Sequence, residues 1–268
     1  MIEQAKRLSE LLNKETQNFA ASNKTIAVAS GKGGTGKSFF VLNLAFHLAS
    51  LGKKILLVDL DSNLANIDIM LNISVEKSIS DFLQNRVLIK ELPQNVRPNL
   101  DVIFGDSGKI NIPEKRREIT DYLISGLEKL KKNYDKILID TGAGVQSETL
   151  YLLSKIDVIA LIINPDPTSV MDGYALTKLL LNKYGNKKIG VVVNKCDTRE
   201  EGDISFKNLN TATTHFLKAE LNYLGAVNFS NEVYKSIKEQ VIFIEEYREN
   251  AIVTQISEIA QNSLLNKM

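Results

Sequence analysis

Short apolar runs rich in Val and Ile recur along the chain at residues 25–29, 54–60, 100–104, 136–140, 158–164 and 189–194. They are nearly continuous in apolar character, the pattern of strands in a parallel sheet covered on both faces. Between them the apolar positions change to a helical period, at residues 40–51, 116–132, 146–154, 170–184 and 204–221. The alternation predicts an α/β fold, a doubly wound and mainly parallel sheet flanked by helices. A seventh strand is expected near 223–229, with helices following at 232–238 and 251–265. The Asn- and Pro-containing stretch 93–99 reads as a surface loop.

Ahead of the first strand, Ile2, Ala5, Leu8, Leu11 and Leu12 share one face at helical spacing, followed by a polar break at 17–24. This predicts an appended N-terminal helix and linker (1–24) on a single domain (25–268). At 268 residues one such domain can bury a full core. Lys and Arg number 33 against 32 Asp and Glu, so net charge makes no case for nucleic acid. One cysteine, Cys196, builds neither a disulfide nor a bridging metal cluster. No apolar run approaches the roughly 20 residues that span a bilayer, and the first residues are not signal-like. A cytoplasmic protein is expected.

The chemistry is concentrated after the first strand. Gly31, Lys32, Gly33, Gly34, Thr35, Gly36, Lys37 and Ser38 spell G-x-x-x-x-G-K-S between a predicted strand and a predicted helix. Glycines let the backbone close around phosphate oxygens, and the helix N-terminus adds partial positive charge. Lys37 is expected to reach the β- and γ-phosphates and Ser38 to ligate Mg²⁺. Phe39 offers the α-phosphate only its backbone N–H. The second strand ends in Asp59-Leu60-Asp61, whose alternation puts both carboxylates on one side at the sheet's carboxyl edge. The run 136–140 ends in Asp140 before Thr141-Gly142-Ala143-Gly144, a Walker-B-like arrangement that would hold Mg²⁺, with a loop able to sense the γ-phosphate. Asn194-Lys195-Cys196-Asp197 fits N-K-x-D, in which Asp197 would read guanine.

The K-G-G-T-G-K-S loop, with Lys32 as a second lysine, resembles the deviant Walker-A ATPases of the MinD, ParA and FlhG group. Asp140-Thr141-Gly142-Ala143-Gly144, the stretch Pro165-Asp166-Pro167-Thr168-Ser169 and Asp172-Gly173-Tyr174-Ala175-Leu176 resemble the FlhG branch in particular. The resemblance implies an ATP- and Mg²⁺-dependent homodimer in which Lys32 reaches the partner's nucleotide. It implies that Asp61 orients the attacking water, Asp59 supports the phosphate and metal environment, and Asn194 contacts adenine. It also implies control of flagellar number and placement, with basal-body or regulator proteins as partners. Glu3, Gln4, Ala5 and Leu8 resemble that family's element for stimulating FlhF, the signal-recognition-particle-type GTPase.

Other readings stay open at this point. Asp61 could cap a helix starting near Asn63; the N-terminal helix could pack on its own domain; guanine could replace adenine. DNA partitioning of the ParA kind and division-site positioning of the MinD kind are the alternative functions. The 251–265 helix lacks the basic and aromatic residues of a membrane anchor, so it is expected to close the core, leaving membrane or polar recruitment weak or conditional.

Overall fold

The computed structural model describes residues 24–61, 66–105 and 116–266. The N-terminal helix expected within residues 1–24, and Glu3, Gln4, Ala5 and Leu8 as partner residues, lie outside them, apart from Lys24. An eight-stranded sheet runs through the described residues in the order β3-β4-β2-β5-β1-β6-β7-β8. Its strands are β1 (Thr25–Ala29), β2 (Ile55–Leu60), β3 (Gln94–Arg97), β4 (Leu100–Ile103), β5 (Lys136–Thr141), β6 (Val158–Ile163), β7 (Lys188–Cys196) and β8 (Asn222–Asn228). Pairings are parallel except β3 with β4.

The helices are α1 (Lys37–Ser50), α2 (Ile67–Leu71), α3 (Ile79–Leu83), α4 (Arg116–Leu130), α5 (Ser147–Ser154), α6 (Pro167–Tyr184), α7 (Arg199–Leu217), α8 (Asn231–Glu239), α9 (Phe243–Glu246), α10 (Ala251–Ala260) and α11 (Ser263–Asn266). Strand alternation sorts the apolar residues between two layers. On β1, Ile26 and Val28 join α1 and α10 in one core, whereas Ala27 and Ala29 join α4, α5, α6 and α7 in the other. Small Ala on the second face lets those helices sit close to the central strand. Continuous apolar strands therefore follow from burial on both faces.

Three expectations need correction. Residues 94–97 form an edge strand rather than a loop. Their alternation of half-buried and exposed positions is carried by Gln94, Asn95, Val96 and Arg97, so the strand bears almost no apolar signal. Pro93 and Pro98 flank it, and a register shift follows Asn95, devices suited to an edge. The helix expected at 204–221 runs instead from Arg199, capped by Thr198, to Leu217, where Lys218 turns left-handed at φ 54°. The 251–265 segment divides at Asn262, whose side chain accepts from the Leu264 N–H and donates to the Tyr223 carbonyl.

The closing-helix expectation agrees with the packing. Ile252, Ile256, Ile259 and Ala260 are buried against α1 and β8. That face of α10 is spent on the core, where burying an Ile is worth about 1.5–3 kcal/mol. Among the described residues no helix is long and apolar enough to cross a membrane.

Candidate active site

The strand order reverses around β1 and β5, and the carboxyl ends of β1, β2 and β5 meet at that point. The loop from β1 to α1 lies there. Gly34 and Gly36 adopt φ of +75° and +91°, and Gly36 serves as N-cap of α1 without a side chain. Backbone N–H groups at the start of α1 are thus left for an external acceptor. Lys37, first residue of the helix, is only 6% exposed.

Neighbouring elements hold this loop from three sides. The amide of Asn194, at the end of β7, donates to the Thr35 carbonyl at 2.7 Å, and Lys195 donates to the Gly34 carbonyl at 2.8 Å. Gly144 N–H, after β5, donates to the Ser30 carbonyl at 2.9 Å. Gly31 touches α6 so closely that a Cβ there would stand 2.2 Å from the Asp172 carbonyl oxygen. The loop is therefore pre-shaped before any ligand arrives.

Asp59 and Asp140 are paired in register across β2 and β5, and both are buried. Burial, with the charge of Asp61 adding to it, pushes the Asp59 carboxyl up to about 6. Burial and the charge of Asp59 push Asp140 up to about 7, opposed by the Ser38 hydroxyl and by Lys37. Asp140 Oδ1 has no hydrogen-bond partner. Two crowded carboxylates, one with an orphaned oxygen beside a serine hydroxyl, fit a hard divalent cation: its charge relieves their repulsion and it takes oxygen ligands. The residues present therefore suit Mg²⁺.

Asp61 is half-buried. Its N–H donates to Asp59 Oδ1 at 3.0 Å, and its carboxylate lies beside Gly142, where a Cβ would stand 3.6 Å from Oδ1. A cavity of about 160 Å³ opens behind the pair, lined by Asp59, Asp61, Thr141 and Gly142 and walled by Ile79 and Leu123. The N-cap of α2 is Asn66, and the Ile67 N–H donates to Asp59 Oδ2 at 3.4 Å.

Lys32 does not turn into its own loop. Its ammonium lies 2.9 Å from both Asp166 Oδ1 and Thr168 Oγ1 at the start of α6. The Thr168 hydroxyl and then Lys32 hold the Asp166 carboxyl down to about 2. Phe39 faces the core, edge-on to Phe243 with ring centroids 5.3 Å apart, so its side chain takes no part in the cleft. Asp197 is exposed, its N–H bound to Glu201.

Sequence reasoning missed the supporting contacts of Asp166, Thr168, Asp172 and Lys195. The first was legible in part: an Asp before Pro167 and three residues before Ser169 is an N-cap signature, and Asp166 does accept from the Ser169 N–H at 2.8 Å. That the same carboxylate meets Lys32, over a hundred residues earlier, had no local signal.

A protein-family model described as an AAA domain matches residues 23–189. The chain resembles the flagellum site-determining protein YlxH of Helicobacter pylori, 32% identical over 90% of this chain and 83% of that protein. It resembles the antiactivator FleN of Pseudomonas aeruginosa at 28% identity, over 89% of this chain and 85% of that one. The septum site-determining protein MinD of Pyrococcus horikoshii, solved with Mg-ADP, has the same fold: TM-score 0.72 at 22% identity, over 88% of this chain and 94% of that one. Fold, loop and family match define a P-loop ATPase with an AAA domain. The chain belongs to the FlhG, FleN and YlxH family of MinD-like ATPases. It is an ATPase, and ATP is its nucleotide.

Proposed function

We propose that this ATPase is a switch controlling flagellar number and placement, monomeric after hydrolysis and dimeric with ATP. The observation that carries the reading is Lys32. It belongs to the phosphate loop, yet its ammonium is stored on α6 with 31% of its side chain exposed. A lysine so placed is available to a second copy. The family relatives named for flagellar site determination and antiactivation support the biological output.

In this reading the loop N–H groups at 33–38 and Lys37 bind the phosphates, while Phe39 adds its backbone N–H. Ser38 and Asp140 hold Mg²⁺, which when bound neutralises charge on the phosphate oxygens. Asp59 fixes the Asp61 backbone through its N–H, and Asp61 orients water toward the γ-phosphate. Lys32 leaves Asp166 and stabilises transition-state charge on the partner copy's nucleotide, coupling turnover to dimerisation. The contact from Gly144 to Ser30 supports a sensing role for the loop after β5. Asn194 braces the loop, and its assignment as the adenine contact rests on the family resemblance.

Residues 1–24 are proposed to engage an FlhF-type GTPase, with basal-body or regulator proteins as further partners. The protein would work in the cytoplasm, recruited to the membrane or pole through those partners, since the apolar face of α10 is already packed.

The test is molar mass by light scattering with Mg²⁺ and ADP, ATP or GTP, using Asp61→Ala to slow turnover. A dimer with ATP alone is expected. A monomer throughout would remove the trans role of Lys32, and a dimer with GTP would make Asp197 a guanine reader.

A further inference from the structure

We propose that the amino edge of the sheet, opposite the nucleotide cleft, is a surface for direct contact with a bilayer of anionic lipid: a field of lysines meets the headgroups and Leu51 enters among them. The contact is the chain's own and goes beyond the recruitment through partners proposed above.

The field follows from topology. Strands β2, β5, β1, β6 and β7 are parallel neighbours, so their first residues share one edge. Helices α1, α4, α5 and α6, which run back between them, end at that edge, and helix C-termini favour lysine because they carry partial negative charge. Lys24, Lys54, Lys132, Lys136, Lys155 and Lys188 each stand at or shortly before one of these strands. Asp59, Asp61, Asp140 and Asp166 lie at the carboxyl edge instead, so a formal net charge of +1 hides a polarised molecule.

Hydrogen bonds join the lysine segments into one surface. The Ile137 N–H donates to the Lys24 carbonyl and the Asp135 N–H to the Lys54 carbonyl, each at 2.8 Å. The Lys24 ammonium donates to the Lys131 carbonyl at 3.3 Å, and the Lys187 ammonium donates to the Ser154 carbonyl. Val158 on β6 pairs in register with Lys188 on β7. With neighbouring strands about 4.8 Å apart, the row is about 20 Å across. Acids at this edge are engaged: Asp157 accepts from the Thr25 N–H and hydroxyl, Asp135 from the Lys54 N–H, and Glu128 pairs with Lys131. The buried Lys136 ammonium registers the crowding, depressed by burial first and then by Lys53, with Lys24 adding to it against Asp157 and Asp135.

Two features select a bilayer among polyanions. Lysine is a compact, strongly hydrated point charge suited to a diffuse array of headgroups, whereas arginine's fork suits one fixed phosphate. Leu51, at the C-cap of α1 beside Lys53 and Lys54, is 58% exposed. An apolar tip flanked by cations gains from a lipid interface and nothing from a nucleic-acid backbone. The apolar face of α10 is packed in the core and is not available for this contact. In the dimer proposed above the nucleotide edges face each other, so the amino edges point outward and each copy meets the bilayer alone. Nucleotide independence rests on that reading; the lysine field and Leu51 do not.

The test is flotation of the full chain with phosphatidylcholine vesicles, with and without phosphatidylglycerol, at low and high salt and with ADP or ATP. Binding is expected where phosphatidylglycerol is present, weaker at high salt and equal with the two nucleotides. Lys54→Gln/Lys132→Gln, at two exposed positions, is expected to lower the affinity roughly twentyfold, since each lysine near an anionic leaflet is worth roughly fivefold. Leu51→Ser is expected to lower it severalfold with the salt dependence unchanged. Melting followed by circular dichroism checks that both variants keep the fold. Equal binding to neutral vesicles, no binding to either kind, or binding that both variants leave unchanged overturns the proposal. Tighter binding to duplex DNA, insensitive to Leu51→Ser, also overturns it and assigns the edge to nucleic acid. Binding with ATP alone overturns the single-copy contact. A chain that stays monomeric with ATP yet binds these vesicles as expected supports the contact and counts against the switch reading alone.

Discussion

Lys32 and Asp166, 134 residues apart, are joined by an ion pair of 2.9 Å at the edge of the nucleotide cleft. The pair links the phosphate loop to the N-terminus of α6. Both side chains are substantially exposed, so it is a latch of modest strength, about 0.2–1 kcal/mol for pairs of this kind. A weak latch suits a lysine that must leave.

Asp166→Asn keeps an acceptor for the Ser169 N–H, and so the cap of α6, but removes the charge that holds Lys32. The monomer–dimer equilibrium with ATP is expected to move toward dimer by about two- to fivefold, as 1 kcal/mol corresponds to roughly a fivefold change. Sedimentation of the variant against the unaltered chain reads this directly. An unchanged or weaker dimer would show that Asp166 does not compete for the lysine.

Asp61→Ala should separate binding from turnover. Nucleotide affinity is expected to stay within a few-fold, with the phosphate-release rate falling about a hundredfold, the scale of losing one positioned group in the reaction. Lys37→Ala is expected to weaken binding itself, since it removes a buried cation at the start of α1, next to the phosphate loop. Equal loss of affinity in both, by titration with a fluorescent ATP analogue, would sink the assignment of Asp61.

Gly31→Ala tests the support behind the loop. A Cβ there cannot coexist with the Asp172 carbonyl 2.2 Å away, so either α6 or the loop must move. At least a tenfold loss of ATP affinity is expected with the fold retained by circular dichroism.

At the opposite edge of the sheet, burial and then the charge of Lys53 depress the buried Lys136 ammonium to about 8, against the pull of Asp157 and Asp135. Between about pH 8 and 10.5 the folded chain has released this proton and the unfolded chain still binds it. Stability contributed by this group therefore rises with pH across that window, with a slope approaching about 1.4 kcal/mol per pH unit for one proton. The difference in unfolding free energy between the unaltered chain and Lys136→Met, measured from pH 7 to 9.5, should show that rise. Taking the difference removes the opposing titrations of Cys196 and the buried tyrosines. A flat difference would mean that Lys136 stays charged.

Ile256→Ala distinguishes a closing helix from a membrane helix. With Ile256 wholly buried on α10, a cost of about 2–5 kcal/mol is expected. In a chain of this size that lowers the melting temperature by roughly 2–4 °C per kcal/mol. A variant with unchanged melting and reduced vesicle binding would reverse the reading.

Strand identity, helix alternation and the phosphate loop were all determined by the chain alone, because burial on two faces, helical periodicity and glycine spacing are local properties. Asp59, Asp61 and Asp140 were legible for the same reason: each stands at the end of an apolar run, where a parallel sheet delivers its residues to one edge. Tertiary structure decided the rest. The pairing of Asp59 with Asp140, and with it the raised carboxyls that suit a cation, depends on β5 inserting between β1 and β2, which no local pattern encodes. The edge strand β3 was hidden by its polar residues, since an edge needs few apolar side chains. The storage of Lys32 on Asp166 required α6 to dock beside the loop. Long-range contacts of this kind arise from packing whole elements, and their residues carry no periodic mark of the partner they will meet.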